Sequence, residues 1–84
     1  MRILYDESKR RANIAKHGFD FAELTLEFFT GSIVVAAKYG RWKAIGPFGD
    51  RLVAIVFVPL GNEGVSVISM RPASRQERAL YAKQ

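Results

Sequence analysis

The spacing of apolar residues divides the chain into a helical first third and a strand-rich remainder. After Phe19, apolar residues recur three and four positions apart, at Phe21, Leu24 and Phe28, which is the period of an amphipathic helix. From Ser32 onward, short runs rich in β-branched residues alternate with glycine-containing turns. Helices grouped around an antiparallel sheet define the α+β class.

Capping residues predict the limits of three helices. Asp6 offers an N-cap for a first helix that ends at Gly18, where a left-handed residue is needed. A second helix is predicted over residues 20–30, so that the two form a helical hairpin. Ser74, followed three residues later by Glu77, has the spacing of a capping box and starts a C-terminal helix.

Five short runs have the composition of strands. They are residues 2–5, 33–37, 41–46, 52–58 and 65–70. Short connections between the later runs favour antiparallel neighbours, and the run 52–58 is apolar throughout, as expected of a central strand covered on both faces. With no repeat and no linker, residues 1–84 form one domain.

Composition excludes several classes of protein. Apolar residues make up 49% of the 84 positions, which is enough for a core. The absence of cysteine and the presence of a single histidine argue against a disulfide or a transition-metal site, and no cofactor is indicated. The longest apolar run is too short for a bilayer, and the charged N-terminus lacks the apolar region of a signal peptide. We therefore expect a cytoplasmic protein.

The charge of the chain favours a polyanionic partner. The net charge of +5 and the pI near 10.0 suit binding to nucleic acid or to an acidic protein, although a merely soluble basic domain would show the same totals. Basic residues fall into three blocks, residues 2–16, 38–51 and 71–83, while residues 20–29 are acidic. This distribution favours a protein with one positive and one negative side.

Alternation along the strands predicts a cationic face on the sheet. Four polar side chains would share that face: Arg41, Lys43, Ser69 and Arg71. Their apolar neighbours would point to the opposite, covered face: Trp42, Ala44, Ile68 and Met70. With Arg75, Arg78 and Tyr81 on the last helix, the four form a candidate phosphate-binding surface, because the arginine fork meets two phosphate oxygens at once. The alternative is that all are ordinary solvated positions.

Other chemistry finds weaker support. His17 could act as a general acid or base, but a histidine at a helix end more often caps carbonyl groups. Ser69 has no histidine or acid at the spacing of a catalytic triad, and the glycine-rich turns match no phosphate-binding loop.

The two ends of the chain carry specific motifs. Residues 5–18 fit YDExKxxxNxxKHG, and residues 68–81 fit ISxRxxSxxERxxY. These motifs resemble the BrnT family, the small ribonuclease toxins of bacterial type II toxin–antitoxin pairs, which have a RelE-like fold. The resemblance implies a metal-independent endoribonuclease that cleaves RNA and inhibits translation. It also implies a cognate BrnA-type antitoxin, through which alone the complex would contact operator DNA.

The resemblance also implies roles for individual residues. Arg41 and Arg71 would stabilise the charge on the phosphate, and Tyr81 would orient or exchange a proton. Ser69, Arg75 and Arg78 would hold the RNA, and alternation along the strand adds Lys43 to them.

The middle of the chain departs from the family pattern. Relatives generally carry a glutamate at or just before the position of Arg41, whereas this chain has Tyr39 and Gly40 there. The alternative function is therefore a catalytically inert or weak BrnT relative that binds its antitoxin or RNA. A sequence-specific DNA-binding protein has little support, because no recognition-helix pattern is present and residues 20–29 are too acidic to enter a groove.

Overall fold

The chain folds into five strands and three α-helices in this computed structural model, which describes residues 1–84. In chain order they are β1 (Arg2–Tyr5), α1 (Glu7–His17), α2 (Leu26–Thr30), β2 (Ile33–Ala36), β3 (Trp42–Phe48), β4 (Arg51–Leu60), β5 (Gly64–Pro72) and α3 (Arg75–Ala82). Single 3₁₀ turns occur at Phe21–Glu23 and Lys38–Gly40. The predicted α+β class is confirmed. No helix has the length and apolar character needed to cross a membrane.

The strands form one mixed sheet in the order β1-β5-β4-β3-β2. Strands β2 to β5 make an antiparallel meander, while β1 pairs in parallel with β5. The central position of β4 is confirmed, because Val53, Ala54 and Ile55 are fully buried and so both faces of the strand are covered.

The two faces of the sheet have cores of different size. The larger core packs the aromatic residues around α2, including Phe21 and Phe28, against one face. The smaller core lies on the opposite face, where Ile45, Ala54 and Ala73 are buried and Tyr81 of α3 packs against them. Because α3 covers only part of this second face, the rest of it is free to form a site.

Both ends of α1 follow the prediction. The Asp6 carboxylate accepts a hydrogen bond from the backbone N–H of Lys9, and Gly18 ends the helix with φ 77°. In its middle, Asn13 is buried and continues the sheet where β1 stops, since its side-chain oxygen accepts from the N–H of Met70 at 3.0 Å. Its amide nitrogen donates to the carbonyl oxygens of Met70 at 2.9 Å and Phe19 at 3.0 Å. The Asn13 side chain therefore makes the two hydrogen bonds to β5 that a further residue of β1 would otherwise make.

The prediction of one continuous second helix is wrong. The 3₁₀ turn at Phe21–Glu23 is followed by extended backbone at Leu24 and Thr25, and α2 begins only at Leu26. The two segments can therefore take different directions, which lets Phe21, Leu24 and Phe28 all be buried. Burial of these side chains stabilises the chain more than one continuous helix over the periodic segment would.

The hairpin between β3 and β4 is tighter than predicted. Pro47 and Phe48, which lie between the predicted runs 41–46 and 52–58, belong to β3 and are paired with Leu52 and Arg51. Only two residues remain in the turn, and Gly49 takes the positive φ of 63° that tight hairpins require at their first position.

A bulge in β5 changes one predicted orientation. Val56 is paired with Ser69 but the next residue of β4, Phe57, is paired with Val67, so Ile68 is an extra residue. Val67 and Met70 therefore both reach the larger core, whereas Ile68 is only half-buried. The prediction that Ile68 shares the covered face with Met70 is wrong.

The predicted burial of Trp42 is also wrong. Its side chain is 41% exposed at the start of β3, while Ala44, two residues along on the same face, is fully buried. The covering helices therefore stop short of the first residue of this strand.

Candidate functional site

A depression of about 510 Å³ opens on the sheet face that α3 partly covers. Beside two alanines, its lining combines six larger side chains: Lys38, Tyr39, Arg41, Lys43, Val56 and Arg71. We call these six residues the cationic depression.

Strand register explains why these residues meet. Lys43 on β3 is paired with Val56 on β4, and Val56 is paired with Ser69 on β5, so the three form one row across the sheet. Arg71 stands two residues beyond Ser69 and therefore points to the same face. Pairing across the three strands thus brings together residues that are far apart in the sequence.

Two backbone hydrogen bonds close the loop between β2 and β3 and place Arg41 at the rim of the depression. The N–H of Ala37 donates to the carbonyl oxygen of Arg41 at 2.9 Å, and the N–H of Arg41 donates to that of Lys38 at 3.3 Å. The guanidinium of Arg41 has no carboxylate partner, since no ion pair of the chain includes it. Arg41 and Lys38 are therefore the cations of the depression that no carboxylate compensates.

Glu77 of α3 binds the other two cations of the depression, Arg71 and Lys43. The Nη1 and Nη2 atoms of Arg71 donate to its two carboxylate oxygens at 2.7 and 2.8 Å, and Lys43 Nζ lies 2.8 Å from Oε2. The backbone N–H of Ser74 also donates to Oε1 at 2.8 Å, as part of the predicted capping box, which is confirmed. With only 4% of its surface exposed, Glu77 is a buried charge whose partners compensate it.

These contacts determine the protonation of Glu77. The hydrogen bonds from Arg71 are the main reason that the pKa of its carboxyl lies far below its usual value, and Lys43 and the N–H of Ser74 act in the same direction. Glu77 in turn raises the pKa of Arg71. Because both of its oxygens are engaged by Arg71, Lys43 and the N–H of Ser74, the Glu77 carboxylate positions the two cations in this structure.

Glu77 is the residue that sequence reasoning missed in this site. The sequence marks it as a helix-capping residue and as part of the C-terminal motif, without a role in the site. The capping box itself contains the signal, because it turns the Glu77 side chain back toward the end of β5, where Arg71 stands six residues earlier. The depression therefore contains an acid, although it comes from α3 and not from the position before Arg41.

The structure brings together only some of the predicted site residues. Arg41, Lys43 and Arg71 line the cationic depression. Ser69 lies on the same row of the sheet but lines a separate depression of about 210 Å³ that includes Lys16 and His17 of α1. Neither Lys16 nor His17 forms an ion pair.

The predicted residues of α3 do not line the cationic depression. Tyr81 packs on the smaller core, and its hydroxyl donates to the carbonyl oxygen of Gly31 at 3.2 Å. Arg75 and Arg78 line their own depression of about 290 Å³. Nowhere does the chain bring together three or more side chains of the types that hold metal ions.

Comparison with known proteins identifies the class of this fold. The crystal structure of the Brucella abortus ribonuclease toxin BrnT, at 1.1 Å, superposes with a TM-score of 0.83 and 51% sequence identity, over 89% of this chain and 99% of that one. No curated protein matches the chain. The fold is thus that of a small ribonuclease toxin.

The family follows from the sequence match. Residues 5–77 match the family described as "Ribonuclease toxin, BrnT, of type II toxin-antitoxin system". The chain belongs to the BrnT family, which confirms the resemblance of its two end motifs.

Proposed function

We propose that this chain is the toxin of a type II toxin–antitoxin pair and acts as a metal-independent endoribonuclease on cytoplasmic RNA, so that translation stops. A cognate BrnA-type antitoxin would neutralise it and provide any contact with operator DNA. One observation carries the proposal within this family: Arg41, Lys43 and Arg71 converge on one open depression.

The chemistry that this depression supports is stabilisation of charge. RNA cleavage without a metal proceeds by attack of a 2′-hydroxyl on the adjacent phosphate, and negative charge accumulates on the phosphorus oxygens. Arg71 keeps its Nε–H and one Nη2–H after its bonds to Glu77 and Pro72, and Lys43 keeps two of its three donors. Arg41 keeps all five. Glu77 already holds Arg71 and Lys43 in place, so their free donors can meet the phosphate without first reorganising.

Proton transfer has less support than charge stabilisation. The one carboxylate beside the depression is held by Arg71, Lys43 and the N–H of Ser74. Tyr81 is assigned the role of orienting or exchanging a proton, although its hydroxyl is directed to Gly31. Most of the rate enhancement would therefore come from the cations.

Contacts to the flanking RNA are the proposed role of the remaining residues. Ser69 extends the row of Lys43 and Val56 across the sheet, and Arg75 and Arg78 present a second positive surface on α3. Such phosphate contacts position an RNA without reading its sequence.

The second candidate function is a module that binds RNA or antitoxin without cleaving RNA. The engagement of Glu77 favours it, because the depression then holds cations that bind a phosphate but no free base to activate the attacking hydroxyl.

The test compares the wild-type protein with Arg41→Ala. We expect the wild type to arrest growth on induction and to cleave purified RNA in the presence of a chelator. Arg41→Ala should lower the cleavage rate by roughly 10²- to 10³-fold, the usual effect of removing one donor to a developing oxyanion. Arg11→Ala is the matched control, since Arg11 is exposed and contacts only Glu7.

Each result separates the two candidates. Unimpaired growth together with intact RNA from the wild type would contradict the nuclease. RNA that binds with steep salt dependence but is never cut would instead support the binding module. Restored growth on co-expression of the product of the neighbouring gene would support the antitoxin.

A further inference from the structure

The loop between β2 and β3 places an exposed tyrosine at the cationic depression. Tyr39 has 88% of its surface exposed and lines the depression together with Arg41 and Lys43. Its side chain forms no hydrogen bond, and its ring takes part in none of the aromatic pairs of the chain. Nothing within the fold therefore accounts for a large ring at this position.

The backbone at Tyr39 is unfavourable for a residue with a side chain. Tyr39 has φ 62° and ψ 36°, and it is the only residue other than glycine with a positive φ. The neighbouring Gly40 also has a positive φ, of 72°. The left-handed conformation favours glycine, so tyrosine makes this loop less stable than glycine would. Fold stability thus gives no reason for tyrosine here.

The side chains around the ring suit both the phosphate and the base of a nucleotide. Arg41, Lys43 and Arg71 supply donors for a phosphate, while Tyr39 and the apolar side chain of Val56 supply surface for a base. Every nucleobase has a face that can stack on an aromatic ring, and proteins that bind single strands combine such rings with a cationic path for the backbone.

We propose that Tyr39 forms a base-stacking subsite, in which its ring stacks on the unpaired nucleobase next to the phosphate held by Arg41 and Arg71. This rests on the proposed function, since it requires RNA in the depression. It assigns the substrate class as single-stranded or looped RNA, because a base inside a duplex already stacks on its neighbours. Stacking makes this subsite tolerant of base identity.

The experiment measures binding of a fluorescent single-stranded RNA that is 2′-O-methylated throughout and so resists cleavage. Tyr39→Leu should weaken binding by about 5- to 140-fold, the range measured for loss of one stacked base. Tyr39→Phe retains the ring and should bind within about twofold of the wild type, since the hydroxyl has no assigned part in stacking.

Two further measurements separate stacking from charge. Tyr39→Leu should leave the dependence of binding on salt unchanged, whereas Arg41→Ala should lower its slope by about 0.7 for one lost phosphate contact. A scan of abasic nucleotides through the RNA should find one position at which Tyr39→Leu no longer weakens binding.

Matched controls exclude misfolding. Tyr39→Gly relieves the left-handed backbone and should unfold at or above the wild-type temperature while binding RNA as weakly as Tyr39→Leu. Trp42→Leu removes another exposed aromatic ring, but from the opposite face of β3, and should leave RNA binding unchanged.

The outcomes distinguish this inference from the function on which it rests. If Arg41→Ala weakens binding and Tyr39→Leu does not, the subsite is refuted and the RNA-binding depression stands. If neither change weakens binding, both are refuted. If Tyr39→Leu weakens binding of an antitoxin but not of RNA, the ring contacts protein and the stacking proposal fails.

Discussion

Replacing Glu77 with glutamine removes the charge that holds two cations together while keeping the size of the side chain. Breaking a buried ion pair by neutralising one partner costs about 3–5 kcal/mol. The side chains of Arg71 and Lys43 are 32% and 24% exposed, so water compensates part of this cost, and we expect about 2–3 kcal/mol. For a domain of this size, that loss lowers the melting temperature by roughly 10–20 °C.

The loss should depend on pH in a defined direction. Because folding lowers the pKa of Glu77 from its ordinary value of 4.5, the carboxylate contributes its full stability above that pH. This contribution is lost progressively as the pH falls toward the lowered pKa. The difference in unfolding free energy between wild type and Glu77→Gln should therefore be constant near neutrality and shrink below a pH of about 4.5.

Urea denaturation across this pH range is the assay, because urea does not screen charges. Glu63→Gln is the matched control, since Glu63 is exposed in the turn before β5, forms no ion pair, and should change stability by less than about 0.5 kcal/mol. A double-mutant cycle should give Glu77 a larger coupling with Arg71, which makes two bonds to it, than with Lys43, which makes one. The reasoning is refuted if Glu77→Gln is as stable as the control at pH 7, or if its deficit does not change with pH.

Two further variants test other contacts. Asn13→Ala leaves the N–H and carbonyl of Met70 and the carbonyl of Phe19 without their partner, so thermal unfolding should show a loss of about 2–4 kcal/mol, and a loss below about 1 kcal/mol would contradict this role. Tyr81→Phe removes one bond to Gly31 and should cost at most about 1 kcal/mol. RNA cleavage by Tyr81→Phe at the wild-type rate would exclude Tyr81 from proton transfer.

Features set by neighbouring residues could be predicted from the sequence. The Asp6 cap, the left-handed Gly18 and the capping box of Ser74 and Glu77 each depend on contacts within one helical turn. The cationic depression was partly predictable for a similar reason, because alternation along a single strand places Lys43 on one face.

Features that depend on packing between distant segments could not be predicted. Alternation fails at Ile68, because the bulge exists only relative to the register of β4. The exposure of Trp42 depends on where the covering helices stop. The predicted second helix is interrupted at Leu24 and Thr25, because burying its apolar side chains is more favourable than continuing the helix that their spacing predicts. Glu77 belongs to the site only because α3 docks against β5, where Glu77 meets Arg71.

The parallel pairing of β1 with β5 also determines the order in which this fold can assemble. Arg2 is paired with Gly64, so this contact closes a loop that spans most of the chain, whereas the hairpins of β3, β4 and β5 close short loops. The entropy lost in loop closure favours formation of the meander first, with β1 and α1 docking afterwards. Register across β3, β4 and β5 sets the spacing of Lys43 and Arg71, so this part of the proposed phosphate-binding site lies in the segment that loop-closure entropy favours to form first.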